Sequence, residues 1–499
     1  MDFQELTTIA RYHTLMMLSL PSTLKRCLAA CVVSASLPGM VVSPVLAQPS
    51  GLPSIGSASG NELSPVFEQA MGDLIIAQGR RDPTFVHDAE INQYLNDMGQ
   101  RLARYAANSV GPIDVFGVRD PKFNAFALPG GYIGINTGLI VQADSESEVA
   151  GVVAHEIAHV TQRHIARGLT QQRQSEHVAM AAIAASLLAA LAGGVNVATG
   201  IAAFGQAAAI DQQLGFSRDA EREADRVGFH MLSKAGYDPN GLQDMFAKLM
   251  NNAQFNMGAS GGNAYFSTHP LSIDRMTDMQ NRTQLLNKNR YPSSDAFWYV
   301  RARALILQTV ERHDLARIVD RLQDEGRRLQ GAPRSAAWLG LSELALRQKQ
   351  YDDARRFLDY ARQGVKDSPY LERQAAAVAL ASGQASSALA ISQRAMAKWP
   401  NHRALVEIRA RALQQLGRHR QAAQFLEQQI KKWPTQSPVF YQLLALNLAD
   451  SDQPARARRA MADYYVLTGA LPSAMAQLQQ AREMTQDFHE QSRIDAEIN

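Results

Sequence analysis

Apolar and polar positions divide the chain into stretches of different period. From about Glu62 to Val110 the spacing predicts helix. Ile113–Val118 and Tyr132–Asn136 alternate as strands do, and between them Asn124-Ala125-Phe126-Ala127-Leu128 runs into Pro129-Gly130-Gly131, a strand entering a tight turn. Ser145 with Glu148 three residues on forms a capping box for a helix that Gly168 should close. Between Val178 and Ile210 alanine, leucine, isoleucine and glycine dominate. Each half holds only about 15 apolar residues, mostly alanine, against the roughly 20 a membrane span needs, which favours buried or groove-lining helices over a membrane hairpin. Peripheral membrane contact through 178–210 stays open. Arg218 to Gly236 predicts a further helix, and a Gly/Asn-rich stretch from Asn251 to Asn263 leads into Thr268-His269-Pro270.

From about Asp295 the pattern becomes paired helices with a fixed period. Ala354, Ala388 and Ala422 lie 34 residues apart, as do Gly383 and Gly417, Trp399 and Trp433, and Pro400 and Pro434. Thirty-four is the tetratricopeptide period. In that frame Trp338 and Leu341 take the large apolar positions of a first helix, the alanines sit where helices approach, and the prolines end a unit; units near 301–334 and 437–470 are degenerate. The fold class expected is α+β. A mostly helical domain with a small sheet over 61–294 should precede an all-α repeat domain over 295–499.

A chain of 499 residues exceeds what one core usually serves, and its 46% hydrophobic, 19% charged composition is that of a globular protein. The net charge of +3 hides an asymmetry. Residues 301–499 hold 29 Lys+Arg and 21 Asp+Glu, a net of +8, whereas residues 48–300 hold 18 and 24, a net of −6. Such halves suggest intramolecular docking or an acidic partner. Nucleic acid is not expected, because the basic residues are interleaved with acids and no nucleic-acid motif is present.

Lys25-Arg26 precede an apolar stretch from Cys27 that ends Val45-Leu46-Ala47, which reads as a signal peptide over 1–47, cleaved near Ala47-Gln48 and followed by a Ser/Gly/Pro-rich linker over 48–60. The long segment before Arg26 keeps a start downstream of Met1 open. A lipoprotein box at Leu28-Ala29-Ala30-Cys31 and an uncleaved anchor are the weaker readings; Pro38, Gly39 and Pro44 disfavour the anchor. The only cysteines, Cys27 and Cys31, fall in this segment, so a mature exported chain has no cysteine nucleophile or thiolate ligand.

His155-Glu156-Ile157-Ala158-His159 is an H-E-x-x-H pentad. On a helix its histidines share a face and can reach one zinc ion, with the glutamate beside the open side as general base. A third ligand is required. Glu221, in Glu221-Arg222-Glu223-Ala224-Asp225, would supply it, and Asp225 would accept the remaining N–H of His155. Arg222 and Glu223 read as a solvated face, with Glu223 and His230 next in line should Glu221 fail. One zinc per chain then serves peptide hydrolysis, Glu156 passing the proton of water to the leaving amine. Asn124-Ala125-Phe126-Ala127 is either an edge that holds an extended substrate or an ordinary hairpin strand. His269 can take the open position as a displaceable fourth ligand, or donate to the oxyanion.

Asn124–Asn136, His155–His159, Ser217–Asp225 and the run from Thr268-His269-Pro270 through Arg275 resemble the gluzincin peptidase family that includes the CAAX prenyl protease and the HtpX membrane protease. With a signal segment and C-terminal tetratricopeptide repeats, the chain is similar to the periplasmic protease-chaperones of that family in Gram-negative bacteria. The resemblance implies His155, His159 and Glu221 as zinc ligands, Glu156 as base, and His269 and Arg275 on the active-site face. It also implies quality control of unfolded or stalled outer-membrane β-barrel proteins at the barrel-assembly machinery, in the periplasm. The alternative is a chaperone or scaffold that docks through its repeats and keeps a latent, residual or structural zinc site; the intact Glu156 favours the enzyme. If the repeats only recruit, a chain ending near residue 300 should still hydrolyse.

Overall fold

The computed structural model of the chain describes residues 64–106, 111–171, 216–255, 265, 269–270, 272–284, 291–308 and 312–498. The leader, the linker and the 178–210 stretch lie outside them. Among the described residues no helix is long and apolar enough to cross a membrane.

The stretch expected as one helical run is two helices, α1 (Pro65–Gly79) and α2 (Ala89–Ala103). Asp82 folds the chain between them by accepting from the amide of Thr84 at 2.7 Å, and Asp88 caps α2 by accepting from the amides of Glu90 and Ile91. Strands β1 (Asp114–Val118), β2 (Ala125–Leu128) and β3 (Tyr132–Asn136) form a sheet of order β1-β3-β2, parallel between β1 and β3 and antiparallel between β2 and β3. The outer edge of β1 is closed by side chains of α2: Asn96 exchanges hydrogen bonds with the main chain of Val115, and Asn92 accepts from Gly117. Among the described residues no strand lies beside the outer edge of β2.

After α3 (Thr137–Gln142), helix α4 (Glu146–Thr161) carries the pentad and is buried along its whole length. Ser145 caps it by accepting from the amide of Glu148, but the Glu148 carboxylate turns to the amide of Asp144 and to Lys248, so only half of the expected box forms. Nor does α4 continue to Gly168. It stops at Thr161, Arg163 takes the left-handed conformation at φ 54°, and α5 (His164–Gln171) starts in a new direction. Helix α6 (Arg218–Lys234) is capped by Ser217, whose hydroxyl accepts from the amide of Ala220, and runs against α4 with α7 (Gly241–Phe255). A Cβ on Gly228 would lie 3.2 Å from the Ala154 carbonyl carbon and the His155 nitrogen, so the glycine sets how closely α6 approaches the pentad. Helix α8 (Ile273–Gln284) completes this region.

Beyond it come α9 (Asp295–Gln308), α10 (Arg312–Arg328), and four pairs: α11 (Gly331–Arg347) with α12 (Tyr351–Arg362), α13 (Pro369–Ala381) with α14 (Ala385–Lys398), α15 (Arg403–Gln415) with α16 (His419–Ile430), and α17 (Pro438–Ala449) with α18 (Pro454–Leu467). Helices α19 (Leu471–Met484) and α20 (Phe488–Ile498) end the chain. Ala354, Ala388 and Ala422 are fully buried between helices, and Gly383 and Gly417 hold the turn within their pairs at φ 82° and 69°.

One apolar core runs from Val86 through α4, α6 and α7 into α9, α11 and Leu371, without a break near residue 295. The charge asymmetry is spent on the same contact. Arg373 of α13 donates to both carboxylate oxygens of Glu90 at 3.0 and 2.7 Å; Arg303 of α9 pairs with Asp88 at 2.6 Å and with Glu343 at 2.7 Å. These ion pairs join the acidic N-terminal and basic C-terminal halves of the chain.

Candidate metal centre

Helix α4 presents His155, Glu156 and His159 on its inner face, α6 brings Glu221 and Asp225 opposite, and His269 and Arg275 enter from the segment leading into α8; all seven are buried. The Nε2 atoms of His155 and His159 are 3.0 Å apart. His269 Nδ1 is 3.4 Å from His155 Nε2 and 3.0 Å from Glu221 Oε1, which is 3.4 Å from His159 Nε2. A tetrahedron whose centre lies about 2.0 Å from each corner has edges of about 3.3 Å; these four separations are close to that, and all four ligand atoms lie within 4.8 Å of one another. The four residues form the group able to hold a metal ion among the described residues.

The chemistry of the donors fits a cation as well. His155 Nδ1 lies 3.0 Å from Asp225 Oδ1, so that a proton held there would leave a bare lone pair on Nε2. A second imidazole nitrogen and a carboxylate oxygen lie at hydrogen-bond distance from that atom, so that either a ring proton or a shared cation can sit among them. Glu156 Oε2 and His269 Nε2 are buried and have no hydrogen-bond partner among the described residues.

Behind the cluster Arg275 grips both carboxylates of α6. Its Nε and Nη2 donate to Asp225 at 2.7 Å each, Nη1 lies 2.7 Å from Glu221 Oε2, and the guanidinium is buried rather than turned toward an approaching chain. Burial opposes ionisation of Glu221 and Asp225, but His269 and the histidines beside Glu221, and Arg275 with His155 beside Asp225, outweigh it and hold both carboxyls below their usual range. Burial raises Glu156 above its usual value against the pull of His269 and His155. That direction suits a group that must take up and hand on a proton.

Strand β2 lies beside α4. Because Phe126 and Leu128 pair with Gly134 and Tyr132, and Asn124 accepts from the amide of Asn136, the main-chain groups of Ala125 and Ala127 point to the unpaired edge. The two side sets diverge: Ala125 and Ala127 join the main core, Phe126 the patch with Ile75 and Phe116. Glu223 faces away from the cluster, on His164 at 3.1 Å and Arg167 at 3.0 Å, and His230 is exposed.

Several contacts were not visible as motifs. Tyr265 is fully buried, stacks on His269 with ring centroids 4.6 Å apart, and puts its hydroxyl 3.5 Å from Glu156 Oε1. Phe216 lies 3.9 Å from the His159 ring. A single aromatic residue carries no periodic signal.

Residues 89–283 match peptidase family M48, and residues 379–446 match a tetratricopeptide repeat. A putative beta-barrel assembly-enhancing protease of Vibrio cholerae is 34% identical over 347 residues, 68% of this chain and 68% of the relative. The beta-barrel assembly-enhancing protease of Escherichia coli K12 is 32% identical over 337 residues, 67% of each. That of Yersinia pestis is 29% identical over 452 residues, 90% of this chain and 91% of the relative.

Proposed function

The chain belongs to peptidase family M48, the family of the beta-barrel assembly-enhancing proteases, and from that we propose that it is a periplasmic zinc endopeptidase and chaperone for unfolded or stalled outer-membrane β-barrel proteins. The observation that carries the reading is the buried set of three imidazole nitrogens and one carboxylate within 4.8 Å of one another, with the carboxylate of Glu156 beside it. His155, His159 and Glu221 would hold one zinc ion, with His269 as a displaceable fourth ligand. When bound, zinc supplies Lewis acidity, polarising the scissile carbonyl and acidifying water.

The rest is the work of side chains. Glu156 takes the proton of the attacking water and gives it to the leaving nitrogen, its unpartnered Oε2 being the atom free to do so. Asp225 fixes the ring of His155, and Arg275 fixes Asp225 and Glu221. The edge of β2 holds an extended substrate through the main chain of Ala125 and Ala127, a mode indifferent to sequence and suited to an unfolded strand. We take 61–294 as the peptidase part, 295–499 as the repeats that recruit substrate or assembly partners, and 1–47 as the signal segment.

The test uses the purified full chain and a denatured outer-membrane β-barrel protein. Cleavage should stop with a chelator and return with zinc, and folded barrel should survive; cleavage indifferent to chelator would overturn the reading. A second reading, a chaperone whose zinc site is latent, is favoured by one observation: His269 fills the fourth corner, and closed four-ligand sites are ordinarily structural. Zinc-bound chain that stays inert toward every unfolded substrate, even as His269→Ala, would establish it.

A further inference from the structure

Each histidine of the pentad must offer a bare lone pair at Nε2, which requires its proton on Nδ1 and an acceptor for that proton. Asp225 serves His155 in one step. No carboxylate serves His159 directly. Its Nδ1 lies 2.9 Å from Nδ1 of His164, whose Nε2 lies 3.1 Å from Oε2 of Glu223, and Arg167 Nη1 lies 3.0 Å from that same oxygen. We propose that His164 and Glu223 are positioning residues that fix the tautomer of His159 from the protein surface. The inference rests on the zinc-site reading given above.

Proton counting gives the direction. An ionised Glu223 can only accept, so the His164 proton sits on Nε2. Neutral His164 then offers a lone pair at Nδ1, His159 must donate to it from its own Nδ1, and the Nε2 of His159 is left bare toward the cluster. Arg167 keeps Glu223 an acceptor. The His159 ring is fully buried and the His164 side chain is 1% exposed, so no solvent competes at the inner link, while Glu223 is 38% exposed.

The break after α4 makes this possible. On a continuous helix, a residue five positions on lies about 140° around the axis and cannot face the first. The left-handed Arg163 redirects the chain and folds His164 back on His159.

The outer link can be reversed without touching the metal site. In Glu223→Lys the ammonium only donates, so His164 accepts at Nε2, donates from Nδ1, and forces the His159 proton onto Nε2, where a ligand lone pair is needed. In Glu223→Gln the side-chain carbonyl still accepts and the order is kept. Zinc affinity of the metal-free full chain, measured by competition with a chromophoric chelator, should fall at least about tenfold in Glu223→Lys and stay within about threefold of wild type in Glu223→Gln. Both apo proteins should melt within a degree or two of wild type. At the inner link His164→Leu should weaken zinc binding by a similar factor, and His164→Asn, whose Oδ1 can accept from His159, should recover most of it. Equal zinc affinity in the Lys and Gln variants would overturn the relay while leaving the zinc reading intact; a wild-type chain that binds no zinc would remove both.

Discussion

Glu221 and His269 both touch the centre, yet their losses should have different signatures. Glu221→Ala removes a first ligand and leaves Arg275 with an unbalanced charge, so zinc content by elemental analysis and hydrolysis should fall together. Unchanged zinc would mean that another residue completes the site. His269→Ala opens the fourth corner. With zinc still bound, basal cleavage of an unfolded substrate should rise, whereas a large fall at unchanged zinc would mean that the imidazole stabilises the oxyanion instead. That His155, His159, Glu221 and Asp225 come together was legible in the sequence, because the pentad and Glu221 with Asp225 obey the spacing of a helix face. His164 was not, because its role depends on the left-handed turn at Arg163, where nothing in a window of residue types says that a non-glycine will break the helix.

The repeats show the converse at the level of elements. Their 34-residue period foretold the helix pairs, and Gly383 and Gly417 mark the turn because it needs a positive φ. The same turn is occupied by Lys349 at φ 59° in the preceding pair and by Asp452 at φ 63° in the following one. An L side chain there costs about 1–2 kcal/mol, part of which glycine returns as unfolded-state entropy. Lys349→Gly should therefore stabilise the chain by about 0.5–1 kcal/mol in urea unfolding, and Gly383→Ala should destabilise it by about 1 kcal/mol. A loss of stability in Lys349→Gly would show that the turn is not strained. The helical stretch before Val110 is divided for a local reason: Asp82 bonds to a main-chain amide after α1 and Asp88 caps the start of α2, a competition that apolar periodicity does not register.

Across the whole molecule, the expectation of an active chain ending near residue 300 does not survive the packing. Such a chain would lose the α11 and α13 side of its core and strip Asp88 and Glu90 of Arg303 and Arg373. Removing one side of a buried ion pair costs about 3–5 kcal/mol, a large part of the 5–15 kcal/mol that holds a domain folded. The truncated chain should be insoluble or unfolded by circular dichroism. The boundary was invisible in the sequence because a repeat's period says where its units lie, not that their inner helices cover α2. The same contact predicts a pH response. His402, buried at the start of α15, has its pKa held down to about 3 by burial and then by Arg373 and Arg303, with Asp88 opposing. In the unfolded chain it titrates near 6.5. Its contribution is thus complete above pH 6.5 and is lost as pH falls toward 3, at about 1.4 kcal/mol per unit. Below about pH 4 Asp88 and Glu343 add to the loss, since burial opposes their charge but Arg303 and its neighbours keep both carboxyls low. His402→Gln should flatten the decline between pH 6.5 and 4.5; an unchanged slope would contradict this assignment.

The central claim, that this centre is a zinc peptidase using Glu156 as its base, is tested most directly by Glu156→Gln in the full-length chain. The substitution keeps every proposed ligand and removes only the proton acceptor. Zinc should remain near one per chain while cleavage of an unfolded barrel protein falls by about 10²–10⁴-fold. Turnover close to wild type with zinc in place would contradict the account.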